Sequence, residues 1–187
     1  MDVFYKVTKV PNHELIKPLI LDSIDRFEYR SAALPDEQVS KTDWGVPQDT
    51  FRPYIHYLMP FLYTELAETY RSMGGDGIEI TNFWFQQYRE NDRYDWHNHI
   101  KSNFANIYYL EFPEGSPKTE FLNPSNPNEI ITFDVKEGEV LTVPAYLIHR
   151  SPPVTRSNIR KTIIAINAEL FKRGGVYANF EPGQPQQ

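Results

Sequence analysis

The chain has 187 residues, a formal net charge of −6 at pH 7 and 40% hydrophobic residues. This length suits one globular domain, and the acidic balance excludes a general nucleic-acid binder because no broad basic field attracts phosphates. The absence of cysteine excludes disulfides, thiolate metal sites and a thiol nucleophile. We find neither a signal-peptide core nor an apolar run that would span a bilayer, so we expect a cytoplasmic protein without nucleic-acid or membrane partners.

The first third of the chain predicts a strand, a helix and a long loop. Residues 2–10 alternate between apolar and polar side chains, which is typical of a strand. Apolar residues recur at near-helical spacing over 15–27, where Pro18 leaves the start of the helix open. Residues 30–50 are irregular and carry several chain-breaking residues. Such a segment is either a loop that covers a binding site or an ordered surface loop.

A second helix is predicted over residues 54–73, where apolar residues recur on one face. Pro60 is expected to kink or delay this helix, because proline lacks the N–H that an internal helical position donates. The GGDG motif at 74–77 is expected to end it.

The pattern changes after residue 77, where five β-rich runs are separated by Gly, Pro and Asn clusters. Helices followed by many short strands indicate a mainly β, α+β domain built as a barrel or sandwich, with the N-terminal helices supporting one sheet. We therefore expect one domain that comprises an N-terminal part (1–77), a β core (78–171) and a polar C-terminal tail (172–187). The five runs are IEITNFWFQQY, NFANIYYLEF, EIITFDV, EVLTVPAYLI and RKTIIAINAEL.

Three of the five histidines form a candidate metal site. His97 and His99 are two residues apart, and side chains at that spacing in a strand point the same way. His149 follows another strand-like run and would reach the same ion from a different part of the sheet. Neutral imidazoles suit iron, zinc, copper or nickel. His13 and His56 lie on helix-like segments and are interpreted as structural.

From about residue 79 to 170, the sequence resembles the Fe(II)/2-oxoglutarate-dependent oxygenases, especially their prolyl-hydroxylase-like branch. His97 and His99 stand where that superfamily has its HxD or HxE pair, NIYYLEFP is similar to the strand that follows, and EGEVLTVPAYLIHRSPPV ends in the distal histidine, His149. The resemblance implies a double-stranded β-helix of the jelly-roll or cupin-like type. It also implies Fe(II) and 2-oxoglutarate as cofactors, and decarboxylation of 2-oxoglutarate coupled to hydroxylation of a small-molecule or peptide substrate.

The resemblance also implies a basic residue that binds the far carboxylate of 2-oxoglutarate. Arg160, eleven positions after His149, is similar to the family's Arg-x-Ser/Thr pattern, and Thr162 would add a hydroxyl contact. A guanidinium binds a carboxylate through two parallel hydrogen bonds. The alternative is that Arg160 faces solvent and that Arg156 or Lys161 takes its role.

Two tyrosines and two further side chains complete the expected site. Tyr88 stands where prolyl-hydroxylase relatives place a tyrosine that binds the 2-oxoglutarate carboxylate, although it could equally be a core aromatic. Tyr109 is favoured on the next strand, where residues 107 and 109 share one face. Trp96 and Arg150, together with the loop over 30–50, are candidates for the substrate side.

The sequence departs from the family pattern at one metal ligand. The early pair is His-x-His, so three neutral imidazoles would replace the usual two histidines and one carboxylate. Asp95 also lies two positions from His97 and is an alternative carboxylate ligand, although His99 occupies the family's second-ligand place. Two other functions stay open: a cupin-like three-histidine dioxygenase without 2-oxoglutarate, and a non-enzymatic β-barrel binding module. The oligomeric state is not predicted.

Overall fold

The computed structural model shows a mainly β fold with two helices. The tail predicted over 172–187 lies outside the described residues, as does part of the loop predicted over 30–50. The residues described are 4–27, 39–47, 49–99 and 101–171.

Both predicted helices are present. Helix α1 spans His13–Asp25 and includes Pro18. Helix α2 spans Pro53–Ser72 and includes Pro60, so the expectation that this proline delays the helix is wrong. α2 instead begins at another proline, which is favoured at a first helical position because its missing N–H has no partner there. Neither helix is long and apolar enough to cross a membrane.

The strands confirm the five predicted β-rich runs and add short strands that the sequence did not reveal. All of the pairings between them are antiparallel. In chain order the strands are β1 (Lys6–Lys9), β2 (Lys41–Thr42), β3 (Gly77–Tyr88), β4 (Tyr94–His97), β5 (Phe104–Glu111), β6 (Glu120–Asn123), β7 (Asn126–Thr132), β8 (Glu139–Pro144), β9 (His149–Ser151) and β10 (Lys161–Phe171).

These strands form two sheets. The large sheet has the order β1-β8-β5-β10-β3-β2, and the small sheet has the order β4-β9-β6-β7. This arrangement confirms the predicted jelly-roll fold, a double-stranded β-helix with supporting N-terminal helices.

The large sheet is covered on both faces. Its helix face carries Phe85, Tyr108 and Ile164, which share a buried cluster with apolar residues of α1 and α2. Its inner face carries Ile107 and Ile163, which share a second cluster with side chains of the small sheet and its loops. Because side chains alternate between the two faces of a strand, the choice of face at each position decides which residues can reach the interior.

Candidate metal centre

The structure brings His97, His99 and His149 together between the two sheets. Each offers one nitrogen, and these nitrogens all lie within 4.8 Å of one another. The ring centroids of His97 and His149 are 4.3 Å apart, and that of His99 lies 5.1 Å from each of the other two. This spacing allows the three imidazoles to bind a single ion.

Backbone pairing places the three imidazoles. His97 is the last residue of β4 and pairs directly with His149, the first residue of β9. His99 lies just beyond β4, where its backbone N–H donates to the carbonyl of Ala145 at 2.8 Å. The loop between β8 and β9 therefore fixes the one ligand that the strand itself does not carry.

Two of the imidazoles are oriented by the carbonyls of nearby residues. Nδ1 of His97 bonds the carbonyl of Asp95 at 2.8 Å, and Nδ1 of His149 bonds that of Leu147 at 2.8 Å. A carbonyl oxygen only accepts, so the proton is on Nδ1 and the lone pair of Nε2 is available to a metal.

Burial keeps two of the imidazoles neutral. Desolvation, together with the neighbouring charge of His97, lowers the pKa of His99 to about 4. Desolvation first, and the neighbouring imidazoles next, lower the pKa of His149 to about 3. Neutral imidazole is the form that binds a metal, so this donor set fits a first-row transition-metal ion.

The carboxylate of Asp95 is not part of this group. Its side chain is 61% exposed, and Oδ1 lies 3.7 Å from Nε of Arg93. Within the described residues, the ligand group therefore contains three histidines and no carboxylate. Of the two alternatives for the second ligand, the geometry favours His99.

A small cavity of about 30 Å³ adjoins the histidines. All three imidazoles line it, together with inner-face side chains of the large sheet and polar residues of the small sheet. The polar and aromatic members away from the histidines are Trp84, Gln86, Tyr88, Tyr94, Asn106, Thr119, Arg150, Ser151 and Asn167. A lining that mixes apolar surface with a few polar groups is typical of small-molecule sites.

Lys161 is a buried cation beside this cavity. Its side chain is fully buried, and Nζ donates to the carbonyl of Pro117 and to Oγ of Ser151, each at 3.0 Å. Nζ also lies 5.2 Å from the ring centroid of Tyr88. No carboxylate in the described part of the chain pairs with Lys161, and desolvation lowers its pKa to about 7.

Arg160 does not reach the cavity, which corrects the prediction for this residue. It lies on the helix face, where NH2 donates to Oε1 of Glu111 at 2.8 Å and NH1 lies 3.4 Å from Asp25. Thr162 shares that face and also donates to Glu111, at 2.6 Å. Arg160 and Thr162 flank Lys161 in the sequence and lie on the opposite face from it. The basic residue on the inner face is therefore Lys161, one of the two alternatives to Arg160.

Tyr88 and Tyr109 both lie on the inner face, as predicted for Tyr109. Each is buried, and the hydroxyl of Tyr109 bonds Oγ1 of Thr119 at 2.9 Å. The hydroxyl of Tyr88 donates to Oε1 of Gln86 at 2.8 Å. Burial raises the pKa of Tyr109, so this phenol stays protonated at neutral pH. A cofactor-binding role for these tyrosines stays a prediction.

Trp96 and Arg150 form one unit at the small sheet. The guanidinium of Arg150 lies 4.5 Å from the ring centroid of Trp96, and Nε donates to Oε2 of Glu120 at 2.7 Å. Arg150 also lines the cavity. Their assignment to the substrate side stays a prediction.

The sequence did not single out Thr119 and Ser151. Both side chains are buried and line the cavity between the histidines and Lys161. The one available signal is that Ser151 lies two residues after His149, a spacing that puts both on the same face of a strand. Thr119 carries no such signal, because it lies outside the β-rich runs.

No family model matches the sequence, and no curated protein matches it. Solved structures do match. HygX from Streptomyces hygroscopicus, solved with nickel and 2-oxoglutarate bound, has a TM-score of 0.66 at 9% identity, with 89% of this chain and 82% of that chain covered. The 2-oxoglutarate complex of the viral collagen prolyl hydroxylase from Paramecium bursaria Chlorella virus-1 has a TM-score of 0.58 at 14% identity, with 88% and 95% covered.

A third match is an oxidoreductase of the 2OG-Fe(II) oxygenase family from Burkholderia pseudomallei. It has a TM-score of 0.53 at 11% identity, and the match covers 63% of this chain and 56% of that one. At these identities the likeness shows the fold. The chain thus has the double-stranded β-helix found in 2OG-Fe(II) oxygenases, including prolyl hydroxylases, and at that level the resemblance seen in the sequence is confirmed.

Proposed function

We propose that this protein is a non-haem iron oxygenase that couples decarboxylation of 2-oxoglutarate to hydroxylation of a substrate. The observation that carries the proposal is Lys161, a fully buried cation whose partners among the described residues are neutral, beside three imidazoles that can share one ion. A buried charge is costly unless it is paired, so a lysine in this position is suited to an anionic ligand.

His97, His99 and His149 would hold Fe(II). Three protein ligands leave the other positions of an iron centre to cosubstrate and oxygen. When bound, iron and 2-oxoglutarate would together supply the oxidising chemistry that hydroxylates a C–H bond. The fold shared with HygX, whose structure holds nickel and 2-oxoglutarate, supports this pair of ligands.

Lys161 and Ser151 would hold the far carboxylate of 2-oxoglutarate. Ser151 and His149 lie two residues apart on one face of β9, a separation of roughly 6–7 Å at the usual rise of a strand. An extended five-carbon dicarboxylate has a comparable length. It would place one end at the imidazoles and the other at the Lys161 ammonium, while the ring of Tyr88 shields the ion pair from water.

Anaerobic titration of the Fe(II)-loaded protein with 2-oxoglutarate tests the proposal. We expect the weak visible charge-transfer band of the iron chelate to appear and saturate. Lys161→Met should weaken cosubstrate binding strongly, because the carboxylate then has no counter-charge. Arg160→Met is the matched control, since it removes the adjacent cation from the helix face and should leave the titration unchanged. Absence of the band at saturating 2-oxoglutarate would contradict the proposal.

A cupin-like three-histidine dioxygenase is the second candidate. The observation that favours it is the ligand group itself, which contains no carboxylate among the described residues. This function needs the metal but not Lys161. The same titration separates the two functions, because a three-histidine dioxygenase of this kind would bind iron and ignore 2-oxoglutarate. Metal analysis of the purified protein addresses the non-enzymatic binding module, which would carry no stoichiometric ion.

A further inference from the structure

A second cleft opens beside His99, on the side away from Lys161. It is lined by Trp44, from the segment before α2, and by residues of β3, β10 and the stretch after β4. His99 and Asn167 line both this cleft and the cavity at the histidines, so the two spaces adjoin. The other residues that line the cleft are Thr81, Asn82, Asn98, Lys101 and Ser102.

Three buried polar atoms at this end of the inner face have no hydrogen-bond partner in the described part of the chain. They are Nε1 of Trp84, Oδ1 of Asn82 and Oδ1 of Asn167. The other such atoms, on His13, Ser23 and Ser116, belong to α1 and to the loop before β6. Leaving a buried donor or acceptor unsatisfied is unfavourable. Asn82 lines the cleft, Trp84 lines the cavity at the histidines and Asn167 lines both, so the three atoms indicate a ligand that extends from one space into the other.

β-sheet register fixes the spacing of these atoms. Asn82 and Asn167 are directly paired between β3 and β10, which puts their Cβ atoms roughly 4.5–5.5 Å apart. Trp84 follows two positions later on the same face of β3, with its ring 5.6 Å from that of His99. The two amide oxygens and the indole N–H therefore lie along one wall that leads to the metal ligands.

We propose that this wall binds a neutral, hydroxyl-bearing substrate of the polyol or carbohydrate class. The inference rests on the proposed function, since it assigns the substrate of that site. The indole of Trp84 donates to a substrate oxygen, and Asn82 and Asn167 accept from two substrate hydroxyls. A hydroxyl donates and accepts at one atom, so a vicinal pair satisfies two neighbouring acceptors and one donor at once.

Charge and group chemistry favour this class over others. Apart from the imidazole of His99, Lys101 is the one ionisable residue among those that line the cleft, and it is exposed. A cationic substrate finds no carboxylate there, and an anionic one finds no buried cation. A single peptide group carries one N–H and cannot donate to both amide oxygens.

Indole NMR of the full chain tests the proposal without measuring turnover. The protein is loaded with diamagnetic Zn(II) and labelled with ¹⁵N at its three tryptophans. Methyl α-glucopyranoside and myo-inositol are titrated as polyol probes, and N-methylacetamide, a single peptide group, serves as the peptide probe. We expect the polyols to shift the Nε1–H resonance of Trp84 saturably and the peptide probe to leave it in place.

Asn82→Leu and Asn167→Leu should each weaken polyol binding roughly three- to tenfold, the loss expected for one hydrogen bond. Asn128→Leu, on the exposed strand β7, is the matched control and should bind as the wild type. If a leucine variant does not fold, as judged by its Trp96 resonance, the corresponding alanine variant replaces it. No saturable shift with either polyol, or an equal response to N-methylacetamide, would overturn the assignment.

The 2-oxoglutarate titration is run on the same preparation loaded with Fe(II). A polyol shift without cosubstrate binding would contradict the proposed function and support polyol binding at the cleft. Cosubstrate binding without a polyol shift would support the proposed function and contradict polyol binding at the cleft.

Discussion

Nζ of Lys161 donates a hydrogen bond of 3.0 Å to Oγ of Ser151 and so links β10 to the strand that begins with His149. Through this contact, the buried ammonium and the distal imidazole are held at a fixed separation on the inner face. The pair links the candidate metal centre to the candidate anion site.

Replacing Lys161 with methionine should stabilise the protein below pH 7 in the absence of 2-oxoglutarate. Desolvation lowers the folded-state pKa of Lys161 to about 7, so the unfolded chain binds one more proton between about pH 7 and the ordinary lysine pKa. The free-energy cost of burying the charged Lys161 on folding is therefore at its full value below pH 7, and it disappears as the pH rises toward 10.5. We expect the Tm gain of Lys161→Met over wild type to be at least about 4 °C at pH 6 and to shrink steadily above pH 7.

Arg160→Met is the control for this stability measurement. Its guanidinium stays charged throughout the range and is paired with Glu111, so the Tm difference from wild type should not vary between pH 6 and 10. A gain for Lys161→Met that is independent of pH would contradict the buried-cation interpretation.

Binding of 2-oxoglutarate should take up a proton above pH 7. The cosubstrate's carboxylate would stabilise the ammonium form of Lys161 and raise its pKa from about 7, so lysine that is neutral in the free protein becomes charged in the complex. Anaerobic calorimetry at pH 8, in buffers of different ionisation enthalpy, should show uptake that approaches one proton. Uptake should be near zero at pH 6 and absent in Lys161→Met. Tight binding at pH 8 without buffer dependence would exclude Lys161 as the carboxylate partner.

Each of the three histidines should be needed for metal binding. We expect His97→Ala, His99→Ala and His149→Ala to weaken binding of Fe(II) or Ni(II) by more than the roughly 10–100-fold that loss of an outer hydrogen-bond partner costs. Asp95→Asn is the matched control, because it removes the nearest alternative carboxylate and keeps the backbone carbonyl that bonds His97. Metal content after dialysis measures the effect. Metal loss in Asp95→Asn as large as in His99→Ala would reverse the choice of ligand.

The sequence predicted the helices and the long strands because each rests on a strong local pattern, and it predicted the three-histidine group because the surrounding segments resemble a known family. It missed β2, β4, β6 and β9, which have only two to four residues. Alternation cannot be recognised over so short a stretch, and such strands form because neighbouring strands supply their hydrogen bonds. The placement of His99 likewise depends on a tertiary contact, its backbone bond to Ala145.

Which side chains of β10 point into the interior could not be predicted from its sequence. The first six residues of this strand are all buried, because helices cover one face and the small sheet covers the other. A strand buried on both sides shows no alternation, so nothing in the run distinguished Arg160 from Lys161. The family pattern favoured the arginine, and Glu111, which pairs with it on the helix face, is distant in sequence.

The buried pair of Asp43 and Arg52 should hold Trp44 at the cleft beside His99. Both side chains are almost fully buried; Nε of Arg52 donates to Oδ2 of Asp43 at 2.7 Å, and the backbone N–H of Phe85 donates to Oδ1 at 2.8 Å. Asp43→Ala removes the counter-charge of the buried Arg52 guanidinium and should destabilise the protein by about 3–5 kcal/mol. Thermal unfolding measures this loss. Asp134→Ala, which removes an exposed partner of Lys118, is the control and should leave the stability close to that of the wild type. Because Asp43 lies next to Trp44, whose ring packs 4.5 Å from that of Trp84, the first variant should also shift the Trp84 indole resonance. An unshifted resonance in a destabilised Asp43→Ala protein would show that the ion pair stabilises the fold without positioning the cleft.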